Sequence, residues 1–363
     1  MTAVAAIATP RRRRPFTIGK LPLLDSAYLR TAFAEAGMKP LHADMVLRRV
    51  LRAPLIADVR AGKGGVGTCQ KSALQSALES LPGLPTAAID LVLDKFVVLT
   101  SKVVDAQTSA DGTATKLLVE LHDGLQVETV IIKVPRPDGL LPRTMLCVSS
   151  QVGCRMGCKF CSTGRMGELG DLAAGEILEQ LCHARRWAKP SNVMFMGMGE
   201  PLNNFEAVAS AARAMVDRGQ FGLRRKAVNV STVGVIPRMR ELRSVLPGVS
   251  MSLSLHAPNQ KLRESLLPSA RQYPLDELMR AVDDVTGVGA LSGERCSPRS
   301  RRGANVVQVE YVLLDGINDS DGHAHELGAL LHGRSVYVNL IPYNSSNSRL
   351  AYRAPTAEKV QRM

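Results

Sequence analysis

The stretch VGCRMGCKFCSTG, residues 152–164, carries three cysteines, Cys154, Cys158 and Cys161, in a C-x3-C-x2-C spacing. A structural zinc site takes four ligands, and a closed iron–sulfur cluster takes four thiolates. Three thiolates on one short loop, with Phe160 before the last of them, instead predict a 4Fe-4S cluster in which one iron has no protein ligand. The competing interpretation is a zinc knuckle that uses Cys147 or His183 as its fourth ligand.

An iron without a protein ligand is a position where chemistry can take place. S-adenosyl-L-methionine (SAM) can bind such an iron through its amino and carboxylate groups, and one electron then cleaves its sulfonium to give a 5'-deoxyadenosyl radical. That radical can take hydrogen from unactivated carbon. The cysteine motif therefore predicts two cofactors, a 4Fe-4S cluster and SAM.

The composition indicates a soluble intracellular enzyme with a nucleic-acid partner. The chain has 363 residues, 45% of them hydrophobic, without the run of about 18 apolar residues that a membrane helix needs. Its seven cysteines, three of them clustered, favour a reducing compartment over a disulfide framework. A net charge of +13 favours a polyanionic partner, although a solvated basic surface is the alternative.

The basic residues are grouped along the sequence. The groups are Arg224, Arg225 and Lys226; Arg238, Arg240 and Arg243; and Arg295, Arg299, Arg301 and Arg302. Four further arginines stand at positions 11–14, and no acidic residue comes before Asp25. We expect a cytoplasmic protein with a basic arm at residues 1–23, or a chloroplast or mitochondrial protein if residues 1–20 act as a transit segment.

The hydrophobic period divides the rest of the chain into three parts. Apolar residues recur at helical spacing in residues 24–92, which predicts a small helical domain of an RNA-binding kind. Residues 93–140 change to a period of two with hairpin turns at SADGT and HDG, which predicts a short antiparallel β segment with Glu128 on its last strand. Residues 141–363 form the predicted catalytic domain.

Six strand patterns alternate with amphipathic helical patterns in that domain. The strands are expected at 144–151, 192–199, 227–234, 250–257, 306–314 and 336–344. This order predicts an α/β fold with a partial parallel (β/α)6 barrel, in which ligands collect at the carboxyl ends of the strands.

Polar or glycine-rich residues stand at those strand ends and are candidates for contact with the cofactor. They are Gly199 and Glu200, Ser231, Ser254 to His256, and Asn339. A carboxylate such as Glu200 suits an ammonium group. Each also has a structural interpretation, since glycine permits a tight turn, serine caps a helix, and a histidine can simply be hydrogen-bonded at a strand end.

Six runs of sequence resemble the radical SAM RNA adenine methyltransferases, which are dual-specificity enzymes that methylate carbon 2 of an adenine in 23S rRNA and in certain tRNAs. The runs include LCVSSQVGCRMGCKFCSTG, VMFMGMGEPLNNFEAV, VNVSTVGVIPRM, EYVLLDGINDSDGHAHEL and VNLIPYN, and the resemblance extends in order from Leu24 to Asn344. A radical SAM enzyme with another substrate remains an alternative, because a barrel does not fix its target.

The resemblance assigns roles to individual residues. It implies that Cys154, Cys158 and Cys161 hold the cluster. It implies that the SAM site is lined by Gly199, Glu200, Ser231, Ser254, Leu255, His256 and Asn339. Glu128 matches the position of a proton acceptor, and Cys147 matches the cysteine that takes the proton from adenine carbon 2 and releases the protein–RNA adduct. The implied partners are 23S rRNA or tRNA and an electron donor such as flavodoxin or ferredoxin, and we expect a monomer.

The sequence departs from the family pattern near its end. The family carries the methyl group on a cysteine beyond the sixth strand, as a methyl-cysteine intermediate, but no cysteine follows Cys296 before Met363. We therefore expect that the C-terminal end of the family's catalytic domain is missing here. The alternative is a non-catalytic RNA-binding homologue.

Overall fold

The computed structural model describes residues 14–16, 19–52, 68–136, 140, 142–287, 306–344 and 352–363. The predicted basic arm lies mostly outside these ranges, as does the loop that contains Cys296 and the third arginine group. Within the described ranges, no helix has both the length and the apolar character needed to cross a membrane.

The N-terminal part is helical, as the period predicted. Its helices are α1 (Ser26–Glu35), α2 (Pro40–Arg52), α3 (Thr68–Glu79) and α4 (Thr86–Lys95). Helix α1 begins after Asp25, whose carboxylate accepts a hydrogen bond from the Ala27 N–H at 3.0 Å. The apolar faces pack together around Phe33, Leu47 and Leu78, which are fully buried.

A two-stranded parallel sheet closes this helical part. It pairs β1 (Leu21–Pro22) with β2 (Phe96–Val97). Helix α4 runs to Lys95, so the extended structure expected from residue 93 begins only at Phe96. The N-terminal segment before β1 is fixed to the rest of the chain by Arg14, which forms ion pairs with Asp123 at 2.6 Å and with the buried Glu176 at 3.0 Å.

Among the described residues, one nine-stranded sheet forms the centre of the structure. Three antiparallel strands lie at one side, β3 (Lys102–Thr108), β4 (Ala114–Glu120) and β5 (Gln126–Val134), joined by turns in which Gly112 and Gly124 have positive φ. Strand β5 then pairs antiparallel with β6 (Arg143–Cys147). The predicted antiparallel segment is therefore hydrogen-bonded into the same sheet as the catalytic strands.

The six predicted parallel strands are present in the predicted order. They are β6, β9 (Asn192–Phe195), β10 (Val228–Thr232), β11 (Ser250–Ser254), β12 (Val307–Leu313) and β13 (Val336–Pro342), and each pairs in parallel with the next. Strand β6 ends at Cys147 rather than at Gln151. Residues 151–154 instead form a separate strand, β7 (Gln151–Cys154), which pairs antiparallel with β8 (Gly167–Asp171).

Helices follow the strands as the alternation predicted. They are α5 (Ala174–Ala184), α6 (Phe205–Val216), α7 (Ile236–Val245), α8 (Gln260–Leu266), α9 (Leu275–Thr286), α10 (Asp321–Leu331) and α11 (Ala357–Arg362). The α/β class and the parallel (β/α)6 arrangement are confirmed.

Helices pack against one face of the central sheet, and the other face is the one that Glu128 and Cys147 share. Val127, Thr129 and Ile131 of β5 are buried, and the Thr129 hydroxyl donates to Gln180 of α5 at 2.8 Å, so this face lies under the helices. Side chains alternate along a strand, so Glu128 points to the opposite face. Residues paired across strands share a face, and the pairing Val130, Cys147, Met194 and Asn229 continues that face into the parallel strands. We call it the inner face.

Candidate active site

The three clustered cysteines lie at the end of β7 and in the loop that connects β7 to β8. Cys154 ends β7 and is paired with Gly167 of β8. Cys154 and Cys158 are buried, whereas Cys161 is half-buried. The Cys161 N–H donates to the Cys158 carbonyl at 3.1 Å, which keeps this loop tight.

One cavity of about 260 Å³ brings the cysteines together with most of the other predicted residues. Its walls come from the cysteine loop and from the carboxyl-terminal halves of the parallel strands. They include Cys154, Cys158, Cys161, Phe160, Gly199, Glu200, Ser231, Ser254, His256 and Glu310. The cavity lies at the carboxyl ends of the parallel strands, where that rule places ligands.

The turn after β9 is packed too tightly for any residue except glycine. Gly199 has φ +100°, and a Cβ there would stand 2.6 Å from Cβ of Gln151. The side-chain carbonyl of Gln151 accepts the Glu200 N–H at 2.8 Å. The turn is therefore held against β7, and its backbone borders the cavity directly.

Glu200 is a buried carboxylate that joins two strand ends. Oε1 accepts the Leu202 N–H at 3.1 Å and Oε2 accepts the Val233 N–H at 2.9 Å. Burial raises the pKa of Glu200 to about 7, although these backbone donors act against the shift. Both oxygens already have a backbone partner, so contact with an ammonium group would be made through the remaining lone pairs.

Ser231, Ser254 and His256 lie on the neighbouring strands. The two serine hydroxyls are 3.5 Å apart. His256 has φ +58°, and its Nδ1 accepts the Val312 N–H at 3.0 Å while Phe160 meets its ring edge-on at 4.9 Å between centroids. Burial lowers the pKa of His256 to about 3, so the ring is neutral. The ring thus connects the cysteine loop to β12.

Asn339 and Leu255 are placed differently from the residues around them. The Asn339 amide donates to Oε2 of Glu310 at 2.8 Å, beside the cavity. The Leu255 side chain is fully buried in the core, and its backbone N–H donates to the Glu310 carbonyl at 3.1 Å. Leu255 therefore offers the site its backbone and not its side chain.

Comparison with known proteins identifies the family. The model of the Radical SAM superfamily matches residues 148–327. A dual-specificity RNA methyltransferase RlmN from Syntrophobacter fumaroxidans is 39% identical over 272 residues, which are 74% of this chain and 73% of the relative. The chain belongs to the RlmN family of dual-specificity RNA methyltransferases.

Two further comparisons agree with that assignment. An RlmN from Alcanivorax borkumensis is 43% identical over 252 residues, covering 67% of this chain and 61% of the relative. The crystal structure of a radical SAM methyltransferase from Sphaerobacter thermophilus superposes with a TM-score of 0.74 at 33% identity, covering 96% of this chain and 91% of that one. A 4Fe-4S cluster and SAM are the cofactors of the RlmN family and hence of this chain.

The cysteine loop fits the cluster chemically. The pKa of Cys154 is raised to about 11 and that of Cys158 to about 12, mainly by burial, with smaller contributions from the neighbouring cysteines and Glu200. Three thiols held so close together in a buried site favour a cationic centre that makes them thiolates.

The zinc interpretation is not supported. A zinc knuckle would need His183 or Cys147 as its fourth ligand, and neither residue lines the cavity that the three cysteines share. His183 lies on α5, with Nε2 3.0 Å from the Ser101 hydroxyl, inside a buried network around Glu179. It is thus occupied under the sheet and does not border the cavity with the cysteines.

The two residues assigned to proton transfer by resemblance lie on the inner face but do not border this cavity. Glu128 is 47% exposed and forms an ion pair with Lys116 at 3.1 Å. Cys147 stands on the adjacent strand β6, and its pKa is raised to about 11, mainly by burial and in smaller part by the charge of Glu310. Their roles in the RlmN family remain predictions for this chain.

Sequence reasoning missed Glu310. This acid stands in the apolar strand VQVEYVL and is 4% exposed. The signal was available, because an acid inside a buried strand pattern needs a partner or a function.

Proposed function

We propose that this chain is a radical SAM methyltransferase that methylates carbon 2 of an adenine in 23S rRNA or tRNA. The observation that supports this most directly is the single cavity shared by Cys154, Cys158, Cys161 and the candidate SAM residues. Carbon 2 of adenine is electrophilic and has no nucleophilic lone pair, so it cannot displace a methyl group from a sulfonium. Radical chemistry avoids that difficulty.

The residues of the cavity would divide the work between them. The three cysteines would hold the cluster, which when bound supplies the electron that cleaves SAM. The backbone of the Gly199 turn and the hydroxyls of Ser231 and Ser254 would orient the cofactor. His256 and Phe160, packed together, would exclude water from the cluster side of the cavity.

Cys147 would remove the proton from carbon 2 of the adenine. Cys147 is half-buried on the inner face, one strand away from Glu128, and the raised pKa of its thiol keeps the proton on sulfur in the free protein. The thiol therefore needs an acceptor before it can act as a base. Glu128, exposed on β5, is the candidate to pass that proton to water.

The RNA would be attracted by charge. Two arginines of the middle basic group are already paired, Arg238 with Glu241 at 2.5 Å and Arg240 with Asp284 at 2.7 Å. The group from Arg224 to Lys226 stands before β10, at the end of the strand away from the cysteines. We therefore expect RNA affinity to depend on salt through the whole basic surface rather than through the middle group alone.

The test separates SAM cleavage from methyl transfer. Protein reconstituted anaerobically with iron and sulfide is incubated with dithionite, SAM and 23S rRNA or tRNA. 5'-Deoxyadenosine and 2-methyladenosine are then measured separately. The two measurements are needed because no cysteine follows Cys296 in this sequence. Cys158→Ala should abolish both products, whereas Cys182→Ala, a buried cysteine of α5, should abolish neither.

The outcomes are distinct. Formation of 2-methyladenosine supports the proposal in full. 5'-Deoxyadenosine without 2-methyladenosine on either RNA would contradict the proposed methyl transfer. Failure to form 5'-deoxyadenosine with a full complement of iron would contradict the radical chemistry.

The supply of electrons and the location are also proposed. A flavodoxin or ferredoxin would reduce the cluster of a monomeric protein in the cytoplasm. Replacing dithionite with a reduced flavodoxin in the same assay tests the first of these. A reduced ferredoxin is tested in the same way. Absence of 5'-deoxyadenosine with both the flavodoxin and the ferredoxin would argue against this class of electron donor.

A further inference from the structure

Glu310 is a buried acid of the cavity to which nothing above assigns a function. It is paired with Ser254 of β11 on one side and with Asn339 of β13 on the other. Paired residues in a sheet share a face, so Glu310 stands on the inner face between two residues that the family resemblance places at SAM. Its side chain borders the same cavity as the cysteine loop.

The two oxygens of this carboxylate differ in their hydrogen bonds. Oε2 accepts the Asn339 amide at 2.8 Å, whereas Oε1 is buried and makes no hydrogen bond within the described ranges. Burial raises the pKa of Glu310, and the Asn339 amide and the Ser252 hydroxyl offset part of that shift. A buried acceptor without a donor costs about 1–3 kcal/mol. Such an oxygen can accept a hydrogen bond from a donor group of a ligand that enters the cavity.

The depth of Glu310 in the cavity indicates which part of SAM it meets. Cys158 packs in one apolar cluster with Leu314, beyond the end of β12. Glu310 comes four residues before Leu314, which is about 13 Å along an extended strand. An amino acid bound to the cluster would lie toward the Leu314 end of the strand, which would leave the nucleoside on the side of Glu310.

The chemistry of a carboxylate narrows the contact further. An ionised carboxylate only accepts hydrogen bonds, so it suits donor groups. The vicinal hydroxyls of a ribose present two donors side by side, and acidic residues bind them in dinucleotide-binding folds. We propose that Glu310 binds the ribose hydroxyls of SAM, with its carboxylate held in position by Asn339. This inference rests on the proposed function, because it requires that the cavity binds SAM.

The test measures binding rather than turnover. Reconstituted protein with an unreduced cluster is titrated with SAM and with 2',3'-dideoxy-SAM by equilibrium dialysis. Hydrogen bonds to a charged acceptor correspond to roughly 10- to 100-fold in affinity. Wild type should bind SAM at least about 10-fold more tightly than the dideoxy analogue. Glu310→Gln should bind SAM about 10-fold more weakly than wild type and should bind the analogue as wild type does.

A matched control and two contrary results complete the design. Glu277→Gln changes an exposed acid on α9 and should leave both affinities unchanged. If Glu310→Gln binds SAM as wild type does, or weakens SAM and the analogue equally, the ribose assignment is wrong while SAM binding stands. If wild type with full iron content does not bind SAM, the proposed function fails as well. The wild-type comparison of SAM with its analogue tests the ribose contact even if the variant does not fold.

Discussion

The close approach of Gly153 to β8 gives a sharp test of how the cysteine loop is positioned. Gly153 has φ +76°, and a Cβ there would lie 1.9 Å from the Gly167 carbonyl oxygen. The clashing atoms belong to the backbone, so no side-chain rotation relieves the overlap. Gly153→Ala must therefore separate β7 from β8 immediately before Cys154, the first ligand.

The expected magnitude follows from two contributions. A non-glycine residue in the left-handed region costs about 1–2 kcal/mol. Overpacking against a fixed neighbour adds about 1–3 kcal/mol. The matched control is Gly112→Ala, because Gly112 has φ +69° but nothing within 4 Å of the added Cβ. The control should lose about 1–2 kcal/mol of unfolding free energy, whereas Gly153→Ala should lose about 2–5 kcal/mol.

Two measurements check this prediction. Urea unfolding followed by circular dichroism gives the two losses of stability. Iron and sulfide analysis after anaerobic reconstitution gives cluster content, which should fall in Gly153→Ala and stay at the wild-type level in Gly112→Ala. Equal losses of stability together with a full cluster in both variants would refute the reasoning.

Three further changes test buried charge. Arg14→Ala leaves the buried Glu176 without its cation and should lower the free energy of unfolding by about 3–5 kcal/mol. Arg30→Ala breaks the exposed pair with Asp44 and should lower it by less than about 1 kcal/mol. Equal shifts in urea unfolding would contradict this. Burial raises the pKa of Glu179 from 4.5 to about 7 in the folded protein. Between these two pH values the unfolded chain has lost the Glu179 proton while the folded protein retains it, so the free energy of unfolding falls as pH rises from 4.5 to 7. Glu179→Gln should remove that part of the decline in unfolding free energy between pH 4.5 and 7, and a slope equal to wild type would be contrary evidence. Glu310→Gln should lower the pKa of Cys147, seen by mass spectrometry as iodoacetamide labelling at lower pH; an unchanged profile would exclude the electrostatic coupling.

The parallel strands and their order could be predicted from the sequence because the spacing of the apolar residues and the length of each apolar run both indicate a strand there. Each strand is a short apolar run between amphipathic helices, so local pattern and tertiary burial indicate the same structure. The cysteine loop and the Gly199 turn could also be recognised, because the spacing of three cysteines and a glycine at a strand end are both visible within a few residues of sequence.

Other features depend on partners that are distant in sequence. Strand β6 was expected to reach Gln151, but β7 begins there because its partner is β8 and not the central sheet. Glu310 was missed because its importance lies in its pairing with Ser254 and Asn339, two strands that a sequence pattern does not join. The same applies to Glu179, whose hydroxyl and backbone donors come from residues 100 and 101.

The pairing of β5 with β6 has a consequence for anyone who wishes to shorten this protein. Val130 to Val134 are hydrogen-bonded to Arg143 to Cys147 along the whole length of β6. A fragment that starts at residue 141 would leave β6 as an edge strand. Its unpaired backbone N–H and C=O groups could then pair with a strand of another copy. The smallest soluble catalytic piece should therefore retain the three antiparallel strands, which shield that edge from aggregation.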